Sequence, residues 1–299
     1  MKRTRLLFLL ALLYFALQIP KVFSQQVVYD WKHEIPGFNF TALCCMTSDS
    51  AGNVYVGGRI DSVVTFLDTT LTHDYATGFL AKVDIDGNMV WFKQFEHSNC
   101  IYSICFDSEN MLYLSGRFTG KVQINDTVFP TYDSDTNFMG MFLAKLKPNG
   151  DLVWAKTTGG SFYYETGYGK LKQMTIDHED NILVVGYGIG ELEYFDTTAV
   201  YTRPLDSAWA TTPFLHWVYY YNYTNYLAKF DKNGQKLWVR DLGFYGQKYY
   251  AIAADCDGNI LLTAEFIDGG TLAFDTIIVV SDVGKNTFIA KYNPDGQVM

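Results

Sequence analysis

The chain is poor in the residues that nucleic-acid binding and most catalysis require. Only 18% of its 299 residues are charged, and 32 acids outnumber 23 bases to leave a net charge of −9. After residue 24 the arginines are Arg59, Arg117, Arg203 and Arg240, too few to neutralise a phosphate backbone, which excludes nucleic acid as a partner. The five histidines, His33, His73, His97, His178 and His216, have no close metal-ligand spacing. HExxH, GxSxG and GxxxxGK[ST] are all absent. Gly186–Gly190 is glycine-rich but lacks the GxGxxG spacing, and it lies where a β-run ends. Five cysteines make an odd number without CxxC. Cys100 and Cys105 sit on one predicted strand roughly 16 Å apart, so they cannot bond to each other, and the cysteines read as buried or semi-buried thiols. No stretch after residue 24 has sustained helical periodicity or the roughly 20 apolar residues of a membrane span.

What is present begins with an export signal. Lys2, Arg3 and Arg5 precede an apolar run from Leu6 to Ile19, and Ser24 supplies a small residue before Gln25. Residues 1–24 therefore read as a signal peptide, and the protein as secreted or surface-located. Cleavage would remove four bases and no acid, taking the net charge from −9 to −13. The full sequence is 48% apolar and 17% aromatic, ample for a packed core.

An internal repeat dominates residues 25–299. Its first motif is DSAGNVYVGGR from Asp49, DSENMLYLSGR from Asp107, DHEDNILVVGY from Asp177 and DCDGNILLTAE from Asp255. Its second is FLAKVDIDGNMVW from Phe79, FLAKLKPNGDLVW from Phe142, YLAKFDKNGQKLW from Tyr226 and FIAKYNPDGQVM from Phe288. Gly87, Gly150, Gly234 and Gly296 mark one step, and Trp91, Trp154 and Trp238 follow the first three at a fixed distance. These tryptophans should be structural, buried between units. Runs such as Ile101–Phe106 and Leu112–Phe118 are β-rich, and the Asp-Gly and Asn-Gly pairs suit tight hairpins. Runs apolar on both faces fit strands covered on two sides.

The expected fold is all-β, a propeller of four-stranded antiparallel blades with units at approximately 40–95, 100–158, 171–242 and 249–299. Residues 27–33 resemble the Val-Trp strand of the other units, with Trp31 in the place of Trp91, and read as a ring-closing strand. Two readings stay open: four blades closed by that strand, or the front of a longer propeller. The trailing DGQVM, a turn plus the start of another strand, favours the second. The two motifs together resemble the SBBP-type β-propeller repeat. That resemblance implies an exported bacterial propeller, non-enzymatic and of poorly known ligand. Ala264, where other units have Gly58, Gly116 and Gly186, departs from the pattern, as does the enlarged third unit.

Three places could hold chemistry. Asp84–Asn88 and Asp255–Asn259 set carboxylates around a glycine, as calcium loops do, though neither completes a DxDxDG loop. Tight turns want the same residues. Second, Ala81, Gly87 and Trp91 match the docking repeat of quinoprotein dehydrogenases, and the adjacent Cys44-Cys45 resembles their cysteine pair. A pyrroloquinoline-quinone enzyme is thus the alternative to a binding module. Sialidase Asp-boxes fit less well, since their Trp follows the Gly by one residue fewer. Third, the Asp-to-Lys distance across the two motifs is 33, 38, 52 and 36 residues in successive units. The excess lies in residues 203–225, which hold Trp209, Phe214, His216, Trp217, Tyr219, Tyr220 and Tyr221. Such a segment suits stacking on a sugar or burial against a protein partner.

Overall fold

The computed structural model describes residues 42–60, 63–66, 69–72, 77–130, 139–157, 170–188, 192–194, 198–200, 224–244, 248–266, 271–274, 277–280 and 286–299. These residues form four main antiparallel sheets, arranged as four blades of a propeller, and three separate two-stranded hairpins. The first sheet has β1 (Ala42–Ser48) and β2 (Val54–Ile60), then β5 (Thr77–Val83) and β6 (Met89–Phe95); the hairpin β3 (Val63–Phe66) and β4 (Thr69–Thr72) interrupts it. The second has β7 (Ser98–Phe106), β8 (Leu112–Thr119), β11 (Met139–Leu146) and β12 (Leu152–Thr157), extended by the hairpin β9 (Lys121–Ile124) and β10 (Thr127–Pro130). The third has β13 (Lys170–Ile176), β14 (Ile182–Gly188), β17 (Thr224–Phe230) and β18 (Lys236–Phe244), with β15 (Leu192–Tyr194) and β16 (Thr198–Val200) between. In the fourth, β19 (Lys248–Ala254), β20 (Ile260–Phe266) and β23 (Asn286–Tyr292) pair, and β21 (Thr271–Phe274) with β22 (Ile277–Val280) makes the hairpin. A bridge between Tyr292 and Val298 continues that sheet. The extra hairpin of each unit is not marked by the repeat motifs.

Strands covered on both faces explain the weak alternation in sequence. On β14, Ile182 and Val184 face the second sheet, while Leu183 and Val185 face the fourth. Tyr55, Leu80, Leu112, Leu114 and Phe142 fill the space between the first two sheets. The first strands meet along the blades' inner edges: β7 packs on β1 and β13, and β13 packs on β19.

Both motif turns share one geometry. Asp84 N donates to Asn88 O, and Gly87 N donates to Asp84 O, closing a turn with Gly87 at φ 88°. The first motif repeats it: Asp49 N to Asn53 O, Gly52 N to Asp49 O, with Gly52 at φ 83°. In the second and third units Asn110 and Asp180 take the left-handed position instead. Only one residue per turn is left-handed, so these are not the two-residue hairpins that Asp-Gly pairs suggest.

Candidate functional site

The strands of each sheet alternate in direction, so the turns after its first and third strands lie at one end. The extra hairpin, and the connection into the third strand, leave from the other. These two ends differ in chemistry.

At the turn end the repeated polar residues meet one another. The Asp of the first motif pairs with the Lys of the second in every unit: Lys82–Asp49 at 3.5 Å, Lys145–Asp107 at 3.0 Å, Lys229–Asp177 at 2.9 Å and Lys291–Asp255 at 2.9 Å. Each Asp also accepts from its own turn. Asp49 Oδ1 receives Ala51 N and Asn53 N, and its Oδ2 receives Asn53 Nδ2. Burial opposes ionisation of Asp49 and Asp177, yet the Asn donors and the ammonium hold both carboxyls below the ordinary value. The Asn259 amide and Lys291 lower Asp255 likewise. Sequence alone gives these pairs no weight. Their one signal is that Asp and Lys keep their letters in all four copies, though far apart along the chain.

A second contact joins each sheet to the next. Trp91 Nε1 donates to Pro148 O at 3.2 Å, and Trp238 Nε1 donates to Pro294 O at 3.1 Å. In the second sheet the Tyr113 hydroxyl takes this part, donating to Lys232 O at 3.2 Å, while the buried Trp154 Nε1 has no acceptor. All three carbonyls stand two residues before the repeat glycine. The indole then lies on the glycine itself: a Cβ on Gly234 would come within 2.9 Å of Trp154, and one on Gly296 within 2.9 Å of Trp238. The tryptophans are half-buried: each packs against the core between its sheet and the next and lies over the next unit's turn. An indole that caps a surface turn keeps one edge in solvent.

The candidate calcium turns are internally satisfied. Asp84 Oδ1 accepts Asp86 N and Asn88 N, and Asp255 accepts its turn's donors together with Lys291. Among the described residues no group of three His, Cys, Asp or Glu side chains could hold a metal ion. Cys44 and Cys45 do not present a joint surface. Cys44 Sγ lies 3.0 Å from Cys100 Sγ, whereas Cys45 Sγ points to Ile101 O at 3.7 Å. Burial, then the neighbouring Cys44, pushes Cys45 up to about 12.

An open polar cleft lined by Lys93, Gln94, Phe95 and Glu96 of the first unit and Gln123 and Asn125 of the β9–β10 hairpin reaches to the second unit's turn, where the Lys93 side chain lies against Gly150. Lys93 Nζ donates across it to Asn125 Oδ1 at 3.0 Å. Trp209, Phe214, His216, Trp217, Tyr219, Tyr220 and Tyr221 lie outside the described residues, as do Trp31 and the strand expected at 27–33. The described strands on either side of the connection that holds the insert meet at the end away from the turns, with β14 finishing at Gly188 opposite Thr224, where β17 begins. No helix among the described residues is long and apolar enough to cross a membrane.

No known protein family matches the sequence, and no curated protein matches it either. Fifteen solved chains match by fold. One is a protein of unknown function from Bacteroides caccae, 8% identical with a TM-score of 0.33, covering 88% of this chain and 81% of its own. Another is a catalytically inactive virginiamycin B lyase from Staphylococcus aureus with quinupristin, 9% identical with a TM-score of 0.26, covering 89% of this chain and 98% of its own. At these scores neither likeness bears on function.

Proposed function

We propose that the protein is an exported, non-catalytic propeller of the SBBP-repeat type that acts as a binding or scaffold module. The supporting observation is the contrast between the two ends of the sheets. At the turn end, the polar groups common to all units are engaged in holding the sheets together. At the hairpin end, the connection into the third strand grows from 73–76, 131–138 and 281–285 to 201–223 in the third unit. A scaffold that is uniform at one end and variable at the other keeps recognition on the variable loops.

The aromatic insert is the contact surface in this reading. A glycan would stack on Trp209 or Trp217, with Asp206 and Asn222 hydrogen-bonding its hydroxyls. A protein partner would instead bury Tyr219–Tyr221. Replacing residues 206–223 with a short Gly-Ser turn should abolish binding to cell-wall polysaccharide or extracellular protein fractions and leave the melting temperature unchanged. Collapse of the fold on deletion would make the aromatics core and remove the assignment. The quinoprotein alternative is less favoured, because Cys44 and Cys45 point to different partners.

A further inference from the structure

Cys44 is the extra residue of a bulge in β1, where pairing with β2 slips between Leu43 and Cys45. The same bulge recurs in each first strand, between Ile101 and Ser103, Leu171 and Gln173, and Tyr249 and Ala251. Bulges re-aim side chains. In the first unit the bulge directs Cys44 across to the second, with its sulfur 3.0 Å from that of Cys100. Cys44 is exposed and Cys100 is buried. That separation is about 1 Å beyond the bonding distance of about 2.05 Å. The other cysteines are elsewhere: Cys45 against Ile101 O, Cys105 packed at the edge of the core between the second and third sheets, and Cys256 on a turn of the fourth unit.

We infer that Cys44 and Cys100 form a disulfide joining the first strands of the first and second blades. The exposed and buried members have distinct parts in its formation. The Cys44 thiolate attacks the disulfide of a dithiol oxidoreductase or of oxidised glutathione, breaking that bond and releasing one donor thiol. Cys100 then attacks the Cys44 sulfur of the mixed disulfide and expels the second donor thiol. Two cysteine thiols are oxidised, one donor disulfide is reduced to two thiols, and the two protons shed by the cysteines are taken up by the leaving thiolates. The link encloses residues 44–100, which hold the first sheet from the bulge of β1 onward, in a covalent loop. A loop of that size should raise the melting temperature by roughly 5–10 °C through its effect on the unfolded chain. It also leaves Cys45, Cys105 and Cys256 as thiols, which accounts for the odd number.

The test uses the full chain exposed to oxidised glutathione, then alkylated and digested without reductant. A peptide pair joined through Cys44 and Cys100 is expected, with the thiol count of the unfolded protein falling from five to three. Cys44→Ser and Cys100→Ser should each retain four thiols and lose the gain in melting temperature, whereas Cys256→Ser should keep the link. Alkylation of Cys44 in the oxidised protein would overturn the inference, as would a joined Cys44–Cys45 peptide. Both readouts are made on the unsubstituted chain, so they stand even if a serine variant fails to fold.

Discussion

Leu227 and Ile289 hold the same place in the second motif, one in the third sheet and one in the fourth, yet Leu227 is fully buried and Ile289 is 77% exposed. Leu80 and Leu143, their counterparts, are also fully buried. The opposite face of the repeat behaves in mirror fashion. Ile104, Met174 and Ile252 are 6%, 6% and 9% exposed, while Met46 at the same position of the first unit is 76% exposed. The ion pair follows the same rule: the lysine side chain is 6% exposed at Lys229 but 43% at Lys291. Local sequence is nearly constant across these comparisons. What changes is the neighbour, so burial in this fold is a property of the sheet next door.

The sharpest way to break the comparison is to remove the lysine. Lys229→Ala leaves the Asp177 carboxylate enclosed without its counter-charge and should cost about 3–5 kcal/mol in urea unfolding. Lys291→Ala should cost far less, because solvent reaches both partners. Equal losses would mean that the neighbouring sheet does not set the strength of the pair. Next, Leu227→Ala should cost about 2–5 kcal/mol through the cavity left between the third and fourth sheets. Ile289→Ala should stay within about 0.5 kcal/mol of the parent. A cap that is only half-buried predicts a smaller effect. Trp238→Ala should lower stability by about 2 kcal/mol, below the 3–5 of an enclosed aromatic. A larger loss would place the indole deeper than its contact with the Gly296 turn implies.

The smallest expected effect is on acid stability. Asp49 and Asp177 have carboxyls held below the ordinary value of about 3.9. Their contribution is therefore complete above about pH 4 and disappears as pH falls through the lower folded-state value. Unfolding midpoints followed from neutral pH to about pH 3 should decline below pH 4, and Asp177→Asn should flatten that decline. An unchanged acid limb in the variant would assign the loss to other carboxylates.

Much of this was legible in the residues. Four in-phase motifs marked the turns, the strands such as Ile101–Phe106, and the glycines beneath the indoles. The unread parts depend on separation. Asp177 and Lys229 lie at opposite ends of their unit's sequence, and only the sheet order β13-β14-β17 brings them together. Cys44 and Cys100 belong to different units, and nothing in their spacing reports a bulge. The short hairpins, such as Val63–Phe66 with Thr69–Thr72, fall outside the two long motifs, and their one shared signal is an Asp-Thr pair at Asp68, Asp126, Asp196 and Asp275, too short to stand out by itself.

The contact between indole and turn has a consequence for how such a chain can grow. The second and third units each own both halves of the joint, a donor (the Tyr113 hydroxyl, the Trp238 indole) and a carbonyl in the last hairpin (Pro148, Lys232), but use them with different neighbours. Tandem copying of one gene segment would therefore hand the newcomer a donor for the unit ahead and an acceptor for the unit behind, already in register. No compensating substitution is needed for the new joint to close. An insertion at the far end, like residues 201–223, disturbs neither half, so lengthening the ladder and diversifying its rim are separable events in the history of the chain.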